Sequence, residues 1–210
     1  MKPEQIPSDV TAKQGANYIL DLSYDYNSIA GNYQNILTKN LRISKKNNLT
    51  YLYTSDYRNC IHLYRKYYGD RIPHVTNEDY QNFRDLCEYA IENDGLICRQ
   101  VANEEGELLA TILLLKDEKR LYNLMNITPP AGRKMCANHF LIDAIIDEFS
   151  ESNLLLDFEG SDLPGVEAFY KSFGATNQPY YKLKYNNLPW PINILKEKRR
   201  STASLQYKDQ

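Results

Sequence analysis

The fold of this chain is decided by residues 154–175, LLLDFEGSDLPGVEAFYKSFGA. The segment opens with a short apolar run, residues 154–158, which predicts a buried strand. Residues 159–165 are rich in glycine, proline and acidic side chains and predict a loop. Residues 166–173 then predict a short helix, which ends at Gly174. A strand, a loop and a helix therefore follow one another directly.

Polar side chains stand at the end of that strand and on the helix after it. Strand alternation puts Asp157 and Glu159 on one face, and Tyr170 lies on the helix. A carboxylate can accept a proton from a reacting group. We therefore name Asp157 and Glu159 as candidate catalytic residues and note Tyr170 as a polar residue of the same unit. A structural alternative stays open for each, since the carboxylates can cap loop amides and the ring can pack in a core.

An antiparallel meander precedes this unit. Residues 108–116, LLATILLLK, are almost entirely apolar and predict a central strand that is buried on both faces. The strands predicted on either side of it span residues 96–102 and 120–128. A helix predicted over residues 133–150 then connects the meander to the strand at residues 154–158, and this crossover makes its two flanking strands parallel.

The loop before that crossover helix has the composition of an anion site. Residues 129–132 are Pro-Pro-Ala-Gly, and Arg133 and Lys134 follow with two positive charges. A helix N-terminus between two parallel strands attracts anions through its free backbone N–H groups. A pyrophosphate group could therefore bind at this loop. The alternative is that water alone contacts the start of the helix.

Outside these segments the sequence predicts further alternation of strands and helices. A long helix is predicted from an N-cap at Ser23 to about Lys46. The other predicted elements are strands at residues 17–23, 49–54 and 180–185 and helices at residues 55–68 and 77–93. The pattern predicts an α/β domain with a mixed sheet over residues 17–195, between flexible tails at residues 1–16 and 196–210.

Composition excludes several classes of protein. The chain has 210 residues, of which 42% are hydrophobic and 25% charged, and its net charge is −2. These values argue against a disordered chain and against a general nucleic-acid coat protein. No apolar run is long enough to span a membrane, and the N-terminus does not have the pattern of a secretory signal. We therefore expect a cytoplasmic protein with reduced cysteines.

Metal-ligating and aromatic residues are less informative. The four cysteines and three histidines are too widely spaced for a zinc site, so we expect no metal and assign His62, His74 and His139 to structural or surface positions. Tyrosine is unusually frequent, with 18 copies, several of them in residues 51–68. These rings either line a groove or pack half-buried with their hydroxyls outward, and we favour packing.

One helix motif resembles a known family. Residues 167–175, EAFYKSFGA, are similar to the A-x-x-F-Y-x-x-x-G-F/A helix of the GNAT superfamily of N-acetyltransferases. Residues 17–49 and 156–176 resemble its Fem-like branch more narrowly. That branch includes aminoacyl-tRNA-dependent peptidyltransferases that build peptidoglycan cross-bridges. Uncharacterised bacterial GNAT-family proteins share the ending of this chain as far as residues 188–191, LPWP.

The resemblance implies an acyltransferase with a central sheet that splays between its fourth and fifth strands and is flanked by helices. An acyl donor would enter the notch, an amine of a small molecule or peptide would attack it directly, and Tyr170 would protonate the leaving group. The implied donor is acetyl-CoA or another acyl-CoA, with aminoacyl-tRNA as the alternative. The residues implied to hold the donor are Ile127, Thr128, Gly132, Arg133, Lys134, Cys136, Ala137 and Asn138.

Two departures from the family pattern matter. The family's pyrophosphate loop, Q/R-x-x-G-x-G/A, matches residues 133–138, but Cys136 and Asn138 replace the small residues. Side chains there obstruct close approach of a pyrophosphate to the backbone, which agrees with an aminoacyl-tRNA donor. Fem-like proteins also carry two such lobes, and this chain matches only the second. It is then a piece of a longer protein, a split gene product, or a lone lobe that needs a second lobe or another copy.

A second function, of a different class, stays open. A catalytically silent lobe would only bind tRNA, a cell-wall precursor or another subunit. Its contact surface would be the basic run Lys39, Arg42, Lys45 and Lys46 together with the tyrosine-rich segment. Cations at the end of a helix are, however, a common answer to the helix dipole.

Overall fold

The computed structural model describes residues 10–160 and 164–185. Contacts divide the chain into a larger unit, Ala16–Pro179, and a smaller unit formed by the segments on either side of it. In chain order the elements are β1 (Val10–Gly15), β2 (Asn17–Asp21), α1 (Tyr26–Ala30), α2 (Asn35–Lys46), β3 (Thr50–Thr54), α3 (Tyr57–Tyr68), a 3-10 turn (Gly69–Arg71), α4 (Asn77–Glu92), β4 (Leu96–Ala102), β5 (Leu108–Lys116), β6 (Arg120–Ile127), α5 (Pro130–Lys134), α6 (Ala137–Phe149), β7 (Leu155–Gly160), α7 (Pro164–Ser172), β8 (Thr176–Asn177) and β9 (Tyr180–Tyr185).

A mixed sheet forms the centre of the larger unit. Seven of the described strands lie in it, in the order β3-β4-β5-β6-β7-β2-β8. Neighbouring strands are antiparallel, except that β6 and β7 run parallel. The chain between those two strands passes through α5 and α6, as the crossover predicts. The α/β class with a mixed sheet is therefore confirmed.

Helices cover both faces of this sheet. One apolar cluster includes residues of α1, α2, α6 and α7, and a second includes residues of α3 and α4. Strand β5 belongs to both clusters, because Ile112 and Leu114 lie in the first and Leu113 in the second, and all three side chains are fully buried. This confirms the prediction of a central strand that is buried on both faces.

The long helix predicted from Ser23 to Lys46 is wrong in detail. The structure has two helices there, and Asp25 caps α1 by accepting the backbone N–H of Ser28 at 3.1 Å. The chain turns at Gly31 and Asn32 before α2 begins. An apolar stripe at helical spacing continues through such a break, because Ile29 and Leu37 pack into the same cluster from different helices.

The helix predicted over residues 133–150 is also two helices. Cys136 adopts a left-handed conformation with φ of 55° and separates α5 from α6. A non-glycine residue in this region costs about 1–2 kcal/mol, so the local composition did not predict the break. The strand predicted at residues 154–158 extends to Gly160, and residues 161–163 of the predicted loop lie outside the described residues.

The ends of the chain differ from prediction where they are described. Residues 10–15, predicted as part of a flexible tail, form β1, which pairs antiparallel with β9 in the smaller unit. Residues 1–9 and 186–210, including the predicted second tail, lie outside the described residues. Among the described helices, none has the length and apolar character needed to cross a bilayer.

Candidate active site

The two parallel strands separate after a short stretch of pairing. Strand β6 pairs with β7 only from Arg120 to Tyr122, opposite Leu155 to Asp157. Strand β6 continues to Ile127, so its last five residues, 123–127, have no strand partner on that side among the described residues. The sheet therefore opens into a V between β6 and β7, which are the fourth and fifth strands in the order of the sheet, where the splay is expected.

A β-bulge lies just above the point of separation. On the other side of β6, Leu114 faces Asn123 while Leu113 faces Met125, so Leu124 is the extra residue. A bulge bends its strand and increases the local twist. This local change accounts for the direction in which β6 leaves β7.

An ion pair closes the bottom of the V. Arg120 Nη1 donates to Asp157 Oδ2, and Arg120 Nη2 donates to Gln178 Oε1 at 2.9 Å. Asp157 is only 3% exposed and also accepts the backbone N–H of Glu159 at 3.0 Å. Asp157 therefore fastens the strands together, and it is not among the described residues that line the cleft.

A cleft of about 600 Å³ lies at the open end of the V. Its walls come from the end of β6, from α3 and the segment after it, from the start of α6, and from α7. The lining residues are Tyr64, Tyr68, Arg71, Ile72, Asn126, Thr128, Arg133, Cys136, Asn138, His139, Gly165, Val166, Phe169 and Tyr170.

Tyr170 is the candidate catalytic residue that the fold brings to this cleft. Its ring stacks on Phe158 of β7, with centroids 4.6 Å apart. Burial, and to a lesser extent the charge of Glu159, raises the pKa of Tyr170 to about 12. The phenol therefore stays protonated at any physiological pH and is available as a proton donor.

Glu159 lies near Tyr170 but outside the described lining of the cleft. Its side chain is exposed, and its backbone φ of 62° takes it out of the regular alternation that predicts a shared face with Asp157. Partial burial and the charge of Asp157 raise the pKa of Glu159. The two carboxylates therefore do not form a pair, and Glu159 alone stays a candidate proton acceptor.

The residues predicted to hold the donor divide into two groups. Thr128, Arg133, Cys136 and Asn138 line the cleft. The others do not: Ile127 and Ala137 are fully buried, Lys134 is exposed outside the described lining, and Gly132 packs against the sheet. A Cβ on Gly132 would lie 1.8 Å from the Leu109 carbonyl oxygen, so this glycine serves the contact between α5 and β5.

The start of α6 keeps the form of an anion site despite its side chains. The backbone N–H groups of Ala137 and Asn138 donate to no described residue, as expected in the first turn of a helix. Cys136 reaches the left-handed conformation that a glycine adopts more readily. Cys136 and Asn138 both line the cleft, at the positions where the family pattern has small residues.

Several cleft residues were missed by sequence reasoning. Tyr64 and Tyr68 belong to the tyrosine-rich segment, and the Tyr68 hydroxyl accepts the Thr128 N–H at 3.4 Å. Arg71 lies over the Tyr68 ring at 5.1 Å. These two rings line the cleft and are also half-buried against the apolar cluster of α3 and α4, so both interpretations of the tyrosine-rich segment describe them. No local signal places α3 against the end of β6, because that contact joins residues about 60 positions apart.

The described cleft lining carries positive charge. Arg71 and Arg133 line it, and no Asp or Glu does among the described residues. Arg133 is partly held in place, since its Nε donates to the Thr128 carbonyl at 3.1 Å. A cleft with cations, aromatic rings and a helix N-terminus suits a ligand with phosphate groups.

His139, predicted to be a structural or surface residue, also lines the cleft. Burial lowers its pKa, so the ring is neutral near pH 7. Asn40 Nδ2 lies 3.0 Å from its Nε2, and its ring meets Phe169 edge-on at 5.0 Å. Neither here nor at any other place in residues 10–160 and 164–185 do three His, Cys, Asp or Glu side chains come together as metal ligands would.

Comparison with solved structures shows the same fold. The chain matches FemX with a TM-score of 0.67 and 14% identity over 89% of its length, which is 68% of the FemX chain. It matches L-PGS from Bacillus licheniformis with a TM-score of 0.54, 14% identity, 91% of this chain and 66% of that one. It also matches a domain assigned to a lysylphosphatidylglycerol synthetase from Agrobacterium fabrum, with a TM-score of 0.55 and 14% identity. That match covers 86% of this chain and 63% of the other chain.

These identities are low, and the likeness shows the fold alone. The chain spans about two thirds of the length of each of these three structures. No family model and no curated protein sequence matches it.

Proposed function

We propose that this chain, which has the Fem-like GNAT fold, transfers an acyl group to an amine at the cleft between β6 and β7. The observation that carries the proposal is the early end of β6–β7 pairing at Tyr122 and Asp157, which leaves a slot beside the Tyr170 phenol. Acyltransferases of this fold place a donor in such a slot. An amine of a small molecule or peptide is the acceptor.

The free side of β6 supports binding of an extended donor. Main-chain groups of residues 123–127 that point toward β7 have no strand partner there among the described residues. An extended chain can add to such an edge through main-chain hydrogen bonds. The pantetheine arm of coenzyme A and a peptide-like aminoacyl group both carry amides or amines that suit this edge.

The phosphate-bearing part of the donor would meet Arg71, Arg133 and the start of α6. Either an acyl-CoA or the 3′ end of an aminoacyl-tRNA supplies phosphates for this region. The Cys136 and Asn138 side chains narrow the approach to the α6 N–H groups. This favours a phosphate held chiefly by side chains over one seated on the backbone.

The reaction needs no covalent enzyme intermediate. The acceptor nitrogen attacks the donor carbonyl and forms a C–N bond, while the C–S bond of a thioester or the C–O bond of an ester breaks. The proton lost by the amine passes to Glu159, directly or through water, and Tyr170 gives its proton to the departing sulfur or oxygen. Holding both reactants in one slot supplies much of the rate.

The pKa of Tyr170 bears on the identity of the donor. A phenol of pKa about 12 is a weak acid for a thiolate, because thiols ionise near pH 8.5. An alkoxide leaving group is far more basic and takes the proton readily. This supports an ester donor such as aminoacyl-tRNA over an acyl-CoA.

A binding experiment tests the proposal. Acetyl-CoA and an aminoacyl-tRNA would each be titrated while the thermal midpoint is followed, since a donor at 100 times its Kd adds about 2.7 kcal/mol of stability. We expect Arg133→Ala to weaken the donor that binds, and Lys134→Ala, outside the described lining, to leave it unchanged. Equal effects of the two variants would remove Arg133 from the site.

A kinetic experiment tests the proton donor. Tyr170→Phe removes only the hydroxyl and should lower kcat by roughly 10²–10⁴-fold, the range for general acid catalysis, with little change in donor affinity. Tyr64→Phe makes the same change elsewhere in the cleft and should retain kcat. A Tyr170→Phe enzyme as active as the Tyr64→Phe enzyme would exclude the phenol from the mechanism.

A silent binding lobe is the second candidate function, and α2 favours it. Its cations Lys39, Arg42, Lys45 and Lys46 are exposed and form no ion pair with any residue in the described ranges, and α2 contains no acidic residue. RNA that binds this helix would do so with a steep dependence on salt. Salt-dependent RNA binding without a shift by any acyl donor would favour this second function.

A further inference from the structure

A buried amide in β6 has no partner among the residues that the structure describes. Asn123 is 8% exposed, and its Oδ1 is sealed from solvent. The side chain makes no hydrogen bond to any described residue. Nearly all buried polar groups in native proteins are hydrogen-bonded, since an unpaired one destabilises the fold. An exception therefore calls for a physical reason.

The position of Asn123 supplies that reason. The last pair between β6 and β7 joins Tyr122 to Asp157, so Asn123 is the first residue past the point where the strands separate. Continuing the register by one residue would set it opposite Phe158, on which Tyr170 stacks. Asn123 therefore lies just past the end of the β6–β7 pairing, at the level of Phe158 in the neighbouring strand.

The β-bulge decides which way Asn123 faces. Leu121 belongs to the apolar cluster that contains α6 and α7, whereas Met125 and Ile127 belong to the cluster that contains α3 and α4. The alternation of β6 therefore reverses at Leu124. Asn123 consequently shares a face with Leu121 below it and with Asn126 above it, and Asn126 lines the cleft. The buried amide therefore lies on the same face of β6 as Asn126, while Asn123 itself is not among the described residues that line the cleft.

We propose that Asn123 is a specificity residue, whose Oδ1 accepts a hydrogen bond from an amino or hydroxyl group on the acyl chain of the donor. The proposal rests on the proposed function, because it requires the acyl group of the donor to reach past the described cleft lining to Asn123. An acetyl group has no donor to offer and would leave the amide unpaired. A site built around a buried hydrogen-bonding group discriminates strongly against an analogue that lacks its partner.

The test compares two acyl groups of equal size. A glycyl group and a propionyl group differ only by an amine in place of a methyl group. Each would be joined through a non-hydrolysable amide to 3′-amino-3′-deoxyadenosine and, separately, to a coenzyme A analogue, and binding would be measured by calorimetry. We expect the glycyl compound to bind about ten- to a hundredfold more tightly than the propionyl compound on whichever carrier binds.

Asn123→Leu should abolish this preference by weakening the glycyl compound alone. Asn17→Leu is the matched control, because it removes another buried amide oxygen without a described partner at a residue outside the described cleft lining, and it should keep the preference. Because the free amide is unpaired, Asn123→Leu should also be at least as stable to urea as the wild type, whereas an amide with a hidden partner would make the variant less stable.

The outcomes separate the two proposals. Equal binding of glycyl and propionyl compounds, or a preference that survives Asn123→Leu, would overturn the role of Asn123 and leave the acyltransferase proposal intact. Equal weakening of both compounds by Asn123→Leu would also overturn it, because the amide would then hold the shared carbonyl. Failure of all four compounds to bind would overturn the proposed function, and this inference with it.

Discussion

Asp157→Asn should destabilise the chain by separating the strands at the bottom of the V. Asparagine keeps the shape of the side chain and an oxygen that can accept the Glu159 N–H, so the main loss is the charge that faces Arg120. The change therefore isolates the ion pair from the rest of the packing. The variant also tests whether Asp157 has a structural role in holding the two strands together, in contrast to the catalytic role that the sequence predicts.

The magnitude follows from burial. Breaking a buried pair by removing one charge costs about 3–5 kcal/mol, because the other charge stays unpaired. The Asp157 side chain is 4% exposed, but that of Arg120 is 25% exposed and keeps its bond to Gln178. Water therefore offsets part of the loss, and the lower end of the range, about 3 kcal/mol, applies.

Urea unfolding measures this loss. With an m-value of about 2–3 kcal/mol/M for a chain of this size, the midpoint should fall by roughly 1 M at unchanged m. Glu88→Gln breaks the exposed pair with Arg58, whose side chains are 70% and 53% exposed, and serves as the control with little expected change. An Asp157→Asn midpoint as high as that of Glu88→Gln would refute the structural role of the ion pair.

Two further perturbations test the walls of the cleft. Gly132→Ala should lower the free energy of unfolding by about 1–3 kcal/mol, because its Cβ would meet the Leu109 carbonyl oxygen at 1.8 Å and force α5 away from the sheet. Gly165→Ala is the control, since a Cβ there meets nothing within 4 Å. Equal unfolding midpoints of the two variants would contradict the contact between Gly132 and Leu109. His139→Gln should flatten the loss of stability in acid. Burial lowers the pKa of His139 in the folded state, so wild-type stability should fall as the pH drops below the ordinary value of 6.5, where the unfolded chain binds the proton first. Thermal midpoints of the wild type and the variant at pH 8 and pH 5 measure this effect. If the midpoint falls equally between the two pH values in both proteins, His139 does not cause the loss of stability in acid.

Elements with strong local signals were predicted well. Helices α3 and α4 begin beside capping residues that the sequence shows directly: the Asp56 side chain accepts the Asn59 N–H, and Thr76 forms a reciprocal capping box with Asp79. Strand β5 is recognisable because it is apolar on both faces. These features depend on residues within a few positions of one another, so a single sequence is enough to predict them.

The site was predicted in part, for a similar reason. Tyr170, Thr128 and Arg133 do line the cleft, and they lie in or beside segments with a recognisable pattern. Asp157 lies outside the described lining and pairs with Arg120, a contact that local sequence does not indicate because Arg120 lies 37 residues earlier in the chain. Tyr68, Arg71 and His139 were missed because nothing near them in the chain indicates which element they will meet.

Alternation of apolar and polar residues, together with glycine, proline and capping side chains, determined the central strands β2 to β7, helices α3 and α4 and the parallel crossover of this protein, but not β1, β8 or the breaks within two predicted helices. Tertiary structure alone decided how far β6 and β7 pair, where the bulge reverses the face of β6, and that Asn123 has no partner in the described part of the chain. The physical reason is range: periodicity and capping act within one or two turns, whereas strand register and side-chain burial depend on contacts between residues that are distant along the chain.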